Sequence, residues 1–222
     1  MTSLSTDVLL VIDMQNDFCP RSAEGVGGAL AVKDGDAIVP AINALGRRFE
    51  HVILTQDWHP AGHISFASSH AGKRPFEMTE MPYGPQTLWP DHCVQGSSGA
   101  ELHPGLDLPH AELILRKGFR REIDSYSAFL ENDHATQTGL AGYLRERGLK
   151  RIYVCGLAYD FCVRFSAIDG MKLGFECVVL EDASRAVDLP GSIEATNAAF
   201  AEAGIRRVSE EDLHTIFIGL EG

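Results

Sequence analysis

Short, almost purely apolar runs alternate with amphipathic segments along this chain, and no other feature of the sequence restricts the fold as strongly. Near-continuous apolar runs of this kind are typical of strands that are buried on both faces of a parallel sheet. The runs occupy residues 7–15, 51–57, 112–118, 151–158 and 176–183, with a shorter one at 205–209. Helical spacing of apolar residues marks most of the intervals, at 34–50, 138–148, 160–174 and 192–204. The tetrapeptide SEED at 209–212 predicts a capping box that opens a last helix.

The alternation of strand and helix predicts an α/β fold. We expect a Rossmann-like, doubly wound and mostly parallel sheet of six strands with helices on both faces. The chain of 222 residues fits a single domain spanning 1–222, because no linker or repeat divides it. The segment 58–111 interrupts the alternation. It is rich in Pro, Gly and His and contains both tryptophans, so we interpret it as a functional insertion.

Reactive side chains stand where four of the predicted strands end. Asp13 closes the first strand, Asp57 the second and Lys117 the third, while Cys162 follows the fourth through the sequence GLAYDF. Ligands of open parallel sheets bind beyond the carboxyl ends of the strands. The four side chains are therefore expected on one rim, as a candidate site.

Cys162 is the candidate nucleophile of that site. A lone cysteine is more often a buried apolar side chain, and Cys155 and Cys177, inside predicted strands, fit that description. Cys162 instead stands near the predicted start of a helix, where the dipole favours the thiolate, and nearby backbone N–H groups could stabilise an oxyanion. Asp13 would take the thiol proton and Lys117 would stabilise negative charge. The competing interpretation is that Asp13 is a cap or turn carboxylate and Lys117 a surface cation.

The stretch TQDWHPAGHISF at 55–66 predicts a metal site. Asp57 and His59 are two residues apart and can face one centre if the strand continues between them. His92 could complete the site from the far end of the insertion, and His63 is either a further ligand or a neighbour of the ligands. This set suits one divalent ion, with Zn²⁺ favoured over Fe²⁺ or Mn²⁺. The competing interpretation is a set of unrelated surface histidines.

Net charge and cysteine content limit the partners and the compartment. The formal net charge of −12 argues against nonspecific binding to nucleic acid or to an anionic membrane. The five cysteines contain no C-x-x-C pair and indicate free thiols in a reducing compartment. The sequence shows neither a signal peptide nor a membrane-spanning run, so we expect a cytoplasmic location. The sequence is compatible with either a monomeric or a homo-oligomeric protein.

Six separated motifs resemble those of the nicotinamidases (pyrazinamidases), within the isochorismatase-like cysteine hydrolases. In chain order they are VIDMQNDFCP, TQDWHPAGHISF, WPDHCVQGS, RKGF, DSYSAF and YVCGLAYDFCV, and the similarity extends from residue 7 to residue 208. The resemblance implies hydrolysis of nicotinamide to nicotinate and ammonia in NAD salvage. It further implies hydrolysis of pyrazinamide to pyrazinoate.

The resemblance also implies roles for individual residues. The catalytic triad would be Asp13, Lys117 and Cys162, with a thioester on Cys162. The metal ligands would be Asp57, His59 and His92, with His63 as a direct ligand or a neighbour. The oxyanion hole would be the backbone N–H groups of Ala158 and Cys162, beside a cis peptide between Leu157 and Ala158. The pocket aromatics would be Phe18, Trp89 and Tyr126. Because the triad supplies nucleophile, base and cation, we expect the metal to hold the ring nitrogen of the substrate rather than to activate water.

Two departures from the family pattern concern the surroundings of the site. Residues 21–27, RSAEGVG, lengthen the loop beside the predicted pocket, and Tyr159 stands where a Thr is frequent. Two other functions remain open. One is a metal-independent amidase or isochorismatase-type hydrolase of the same fold. The other is a non-enzymatic metal-binding or thiol-redox module, against which the missing C-x-x-C pair argues.

Overall fold

A parallel sheet forms the centre of the computed structural model, which describes residues 6–209 and Asp212. The strands are β1 (Asp7–Ile12), β2 (His51–Asp57), β3 (Met78–Met81), β4 (Gly84–Thr87), β5 (Leu113–Lys117), β6 (Arg151–Leu157), β7 (Glu176–Arg185) and β8 (Arg206–Val208). Six of them form the main sheet in the order β5-β2-β1-β6-β7-β8. Every neighbouring pair in that sheet is parallel. The predicted six-stranded sheet is confirmed.

Helices cover both faces of this sheet. They are α1 (Val39–Gly46), α2 (Leu140–Glu146), α3 (Arg164–Lys172) and α4 (Ser192–Ala203). Alternate side chains of a strand point to opposite faces. Leu9 and Val11 of β1 accordingly join an apolar cluster that includes α1. Leu10 and Ile12 join a second cluster that includes α2, α3 and α4. The α/β architecture with helices on both faces is therefore as predicted.

Two of the predicted helices are less regular than their spacing indicated. The segment predicted as a helix at 34–50 is a 3-10 turn at Asp36–Ile38 followed by α1. A proline in the first turn of α1 suits this start, because proline lacks the N–H that a later position would need. The segment predicted at 160–174 begins as a π-helical turn, Tyr159–Val163, and becomes α-helical only at Arg164.

The insertion and the chain end add two local features. Within 58–111, β3 and β4 form a separate antiparallel hairpin, which the sequence did not predict. At the end of the described chain, Ser209 and Asp212 make reciprocal hydrogen bonds. The N–H of Asp212 donates to Ser209 Oγ, and the N–H of Ser209 donates to Asp212 Oδ2, at 3.1 Å each. This is the predicted capping box. The helix that it would open lies outside the described residues.

Two residues with positive φ, Gly156 and Asp13, shape the backbone at the edge of the sheet where the strands end. Gly156 in β6 has a φ of 110°, and a Cβ there would lie 2.2 Å from the carbonyl oxygen of Ile12, so only glycine allows β6 and β1 to approach this closely. Asp13 turns out of β1 with a φ of 46°. Across residues 6–209, no helix combines the length and apolar character needed to cross a membrane.

Candidate active site

The carboxyl ends of β1, β2, β5 and β6 bring four predicted side chains to one edge of the sheet. Asp13 directly follows β1. Asp57 and Lys117 end β2 and β5 and are paired in register. Cys162 follows β6 in the π-helical turn. All four residues are buried. Four strand ends thus form one site, because parallel strands that are hydrogen-bonded in register finish on the same side.

The ammonium group of Lys117 joins the members of this site. Its Nζ lies 2.8 Å from Asp13 Oδ2, 3.0 Å from the carbonyl oxygen of Ser125 and 3.4 Å from Cys162 Sγ. It also donates to Asp57 Oδ1. Burial alone lowers the pKa of Lys117, but the carboxylates of Asp13 and Asp57 raise this pKa well above its usual value. Lys117 is therefore a buried cation that two carboxylates and a thiol share.

The two carboxylates on Lys117 differ in basicity. Burial raises the pKa of Asp13, and the ammonium of Lys117 offsets only part of that effect. Burial also opposes ionisation of Asp57, but Lys117 and His59 together hold the pKa of Asp57 well below its usual range. Thr55 supports Asp13 with a hydroxyl that donates to Oδ1 at 2.5 Å. Asp13 is consequently the carboxylate that takes up a proton more readily.

The pKa of the Cys162 thiol is raised well above its usual value, so its surroundings do not favour the thiolate in the way that a position near a helix start suggested. Burial is the main cause of this raised pKa; the ammonium of Lys117 opposes it, and the carboxylates of Asp13 and Asp57 add to it. The helix dipole does not decide the matter, because the thiol lies in a buried π-helical turn beside two carboxylates. Its Sγ lies within 4.8 Å of a carboxylate oxygen of Asp13. A proton acceptor of raised pKa is therefore close to the sulfur.

Asp57, His59 and His92 form a second buried group, whose ligand atoms all lie within 4.8 Å of one another. Nε2 of His59 and Nε2 of His92 lie 3.5 and 3.7 Å from Asp57 Oδ2. Nδ1 of each ring is 2.8 Å from a backbone carbonyl oxygen, that of Gly118 for His59 and that of Pro90 for His92. Those carbonyls require the proton on Nδ1 and leave Nε2 for a metal ion. The donor set therefore fits a divalent ion.

His63 is held differently from the other two histidines. Its Nε2 lies 2.9 Å from the carbonyl oxygen of Arg120 and 3.2 Å from that of Ile123, so Nε2 carries the proton. Its Nδ1 accepts from the Ser65 N–H at 3.3 Å. Burial, and next the nearby His59, lower the pKa of His63 to about 4. Both nitrogens thus have protein partners, and the ring centroid lies 4.3 Å from that of His59.

An aromatic cavity connects the thiol with the group of metal-type ligands. The residues predicted for the pocket line it: Phe18, Trp89, Tyr126, Ala158 and Cys162, together with Asp57 and His92. The peptide bond between Leu157 and Ala158 is cis. The lining also includes residues that the sequence did not single out: Leu30, Asp124, Phe161 and Val187. Phe161 directly precedes Cys162, and this adjacency was the signal available for it. Leu30 and Val187 reach the cavity from distant loops and left no such signal.

Comparison with known proteins agrees with this geometry. The isochorismatase domain family matches residues 7–210. A nicotinamidase of Acinetobacter baylyi is 52% identical over 213 residues, which are 96% of this chain and 97% of the relative. The chain belongs to the nicotinamidases of the isochorismatase family.

Solved structures of nicotinamidase relatives share the fold. A nicotinamidase and pyrazinamidase of Acinetobacter baumanii has a TM-score of 0.91 and 53% identity, covering 94% of this chain and 98% of that one. A pyrazinamidase of Pyrococcus horikoshii, solved in complex with zinc, has a TM-score of 0.72 and 35% identity, covering 92% and 99%. The resemblance stated from six motifs is therefore confirmed over nearly the whole chain.

Neither departure from the nicotinamidase pattern reaches the aromatic cavity. In the longer loop at 21–27, Ser22, Glu24 and Val26 border a separate cavity. The hydroxyl of Tyr159 donates to Asn197 Oδ1 at 2.6 Å. The Tyr159 ring packs edge-on against a phenylalanine of α4. The lengthened loop and the tyrosine thus lie outside the lining of the cavity.

Proposed function

We propose that this protein hydrolyses nicotinamide to nicotinate and ammonia, as a step of NAD salvage, and hydrolyses pyrazinamide to pyrazinoate. One observation carries the proposal. A buried thiol, carboxylate and ammonium meet beside an aromatic cavity whose other wall holds a group of metal-type ligands. The similarity to a nicotinamidase and to a nicotinamidase and pyrazinamidase supports the substrate class.

Asp13, Lys117 and Cys162 would act together in the first half of the reaction. Asp13 takes the proton of the thiol, and the sulfur attacks the carboxamide carbon. The C–S bond forms as the carbonyl oxygen takes the electron pair, and the N–H groups of Ala158 and Cys162 donate to this oxyanion. Asp13 then gives its proton to the nitrogen, the C–N bond breaks and ammonia leaves. Lys117, 3.4 Å from the sulfur, stabilises the transient thiolate.

Water would complete the second half. Asp13, ionised again after ammonia has left, takes a proton from water while the water oxygen attacks the thioester carbon. The same backbone donors hold the second oxyanion. The C–S bond then breaks, the acid product leaves, and the proton on Asp13 returns to the sulfur. The sum is one amide and one water converted to one acid and one ammonia.

The opposite wall of the cavity would recognise the ring. A divalent ion held by Asp57, His59 and His92 would act as a Lewis acid for the ring nitrogen and so aim the carboxamide at Cys162. The aromatic side chains Phe18, Trp89 and Tyr126 would pack against the ring. Zn²⁺ is the favoured ion, ahead of Fe²⁺ or Mn²⁺, and the zinc complex of the Pyrococcus horikoshii pyrazinamidase supports that choice.

Four further assignments accompany this function. His63 serves as a neighbour that packs against the ring of His59 rather than as a ligand, because both its nitrogens have protein partners. We further propose a single domain for the whole chain, 1–222, as the sequence predicts. The protein acts in the cytoplasm, which its five free thiols support. Its partner is the small-molecule substrate, and it acts as a monomer or a homo-oligomer.

Ammonia release tests the proposal. We expect turnover of nicotinamide and pyrazinamide, little turnover of an aliphatic amide, and loss of activity with a chelator.

Cys162→Ala should abolish turnover while the protein stays folded and binds Zn²⁺. Cys155→Ala is the matched control, because Cys155 is also buried but lies inside β6. Substantial ammonia release by Cys162→Ala would show that Cys162 is not the nucleophile. Activity indifferent to the chelator would favour a metal-independent hydrolase.

A further inference from the structure

Gln15 lies in the turn after β1, outside both the triad and the ligand set. Its side chain is fully buried. The chain around it is held on both sides by the end of the insertion. The N–H of Asn16 donates to the carbonyl oxygen of Glu101 at 3.0 Å, and the N–H of His103 donates to that of Met14 at 2.8 Å. The backbone that carries Gln15 is therefore anchored.

The carboxamide of Gln15 pairs with both backbone polar groups of Asp57. Nε2 donates to the carbonyl oxygen of Asp57 at 2.8 Å, and Oε1 accepts from the N–H of Asp57 at 2.8 Å. The other Nε2 proton goes to the carbonyl oxygen of Ala100 at 2.9 Å. Carbonyl oxygens only accept and an N–H only donates, so the orientation of the amide is determined.

This pairing takes the place of a strand contact that β1 no longer makes. The register between β1 and β2 ends at the pair Val11 and Leu54. Beyond that pair the backbone of β1 has turned away, and the Gln15 side chain meets the edge of β2 instead. Without the Gln15 side chain, the backbone N–H and C=O of the buried Asp57 would have no partner on the β1 side of β2.

The position of Asp57 matters because its carboxylate serves both parts of the site. Oδ1 contacts Lys117 Nζ. Oδ2 lies 3.5 Å from His59 Nε2 and 3.7 Å from His92 Nε2. A shift of the Asp57 backbone would move both oxygens at once.

We propose that Gln15 is a positioning residue that holds Asp57 with one oxygen towards Lys117 and the other towards the ion site, and so sets the affinity for the divalent ion. This inference rests on the proposed metal site. Gln15 acts through Asp57 and needs no contact with the substrate.

Gln15→Met tests the inference, because methionine has nearly the same length and volume but neither donates nor accepts as the amide does. Removing partners that orient metal ligands typically weakens affinity by about 10- to 100-fold. We expect a rise of that size in the Kd for Zn²⁺, measured by competition with a chromogenic chelator. Gln56→Met is the matched control. Gln56 is also buried and donates to the same Ala100 carbonyl at 3.2 Å, but its amide bonds Arg116 instead of the Asp57 backbone. Its Kd should stay close to that of the parent.

Thermal unfolding of the ion-free variants separates positioning from a structural role. A lower Tm for Gln15→Met with an unchanged Kd would overturn the inference, whereas a raised Kd at temperatures well below unfolding supports it. A parent protein that binds no stoichiometric Zn²⁺ would overturn the metal site and this inference together. If Gln15→Met does not fold, Gln15→Asn keeps the amide but is one methylene too short for both contacts. The same loss of affinity is expected for it.

Discussion

Replacement of Lys117 by methionine should cost stability that acid partly restores. The ammonium lies 2.8 Å from Asp13 Oδ2, both side chains are fully buried, and it contacts Asp57 as well. At an effective dielectric constant of about 20, the attraction over 2.8 Å is about 6 kcal/mol before the cost of desolvation is subtracted. Removing one partner of a buried pair costs about 3–5 kcal/mol. We expect a loss of that size at neutral pH, which is a large part of the typical stability of a domain, about 5–15 kcal/mol.

The direction of the pH dependence follows from Asp13. Burial raises the pKa of Asp13 even with Lys117 present, and loss of the ammonium raises this pKa further. Between the ordinary and the raised pKa, the folded variant holds a proton that the unfolded chain releases. The free energy of unfolding therefore falls as pH rises through that window, by up to about 1.4 kcal/mol per pH unit. The deficit relative to the parent should be larger at pH 8 than at pH 5.

Urea unfolding of the ion-free proteins at those two pH values, followed by circular dichroism, measures the effect. The double variant Asp13→Asn with Lys117→Met is the control. It removes a carboxylate that Lys117 neutralised, so it should recover part of the lost stability and flatten the pH dependence. Equal deficits at both pH values, or a double variant less stable than Lys117→Met, would refute the account of Lys117 as a shared buried cation.

Three further substitutions probe other parts of the site. Gly118→Ala should weaken Zn²⁺ binding in chelator competition, because a Cβ would lie 2.5 Å from His59 Cε1 at a backbone φ of 65°; unchanged affinity would contradict this. Asp13→Asn should lower kcat for ammonia release by about 10²- to 10⁴-fold, since it removes the proposed base, while leaving the Kd for nicotinate nearly unchanged; a kcat near that of the parent would exclude the role. Trp89→Leu should raise the KM for nicotinamide by about 2- to 10-fold, in line with a ring contact of about 0.5–1.5 kcal/mol; a change confined to kcat would place Trp89 nearer the reacting atoms.

Much of the fold could be predicted because a strand that is buried on both faces of a sheet is a nearly continuous apolar run in the sequence. The predicted run at 51–57 coincides with β2, and the other five strands of the main sheet differ from the predicted runs mainly at their ends. Parallel order then requires the strand ends to meet on one side. That rule alone groups Asp13, Asp57 and Lys117 before any distance is known. The helix at 34–50 was overextended, since a 3-10 turn keeps similar apolar spacing over a few residues.

The remaining features depend on contacts between distant parts of the chain. The raised pKa of Cys162 depends on its burial and on the charged groups around it, which spacing does not reveal. The bond from Gln15 to Asp57 joins residues 42 positions apart. Both carbonyl partners of His63 Nε2 come from the segment 120–123, almost 60 positions away. No local pattern encodes these contacts, because packing of separate segments creates them.

The reacting groups all lie outside the insertion at 58–111, whereas several of the recognition groups lie within it. The triad follows strands of a sheet that apolar clusters hold on both faces. His59, His92 and Trp89 belong instead to the insertion at 58–111, whose own apolar cluster is small. We expect mutations within that stretch to affect ring recognition more than the hydrolytic chemistry. Because of this arrangement, substitutions in one segment could adapt the enzyme to other aromatic amides. Exchanging the segment 58–111 between relatives would be a direct way to engineer amide specificity.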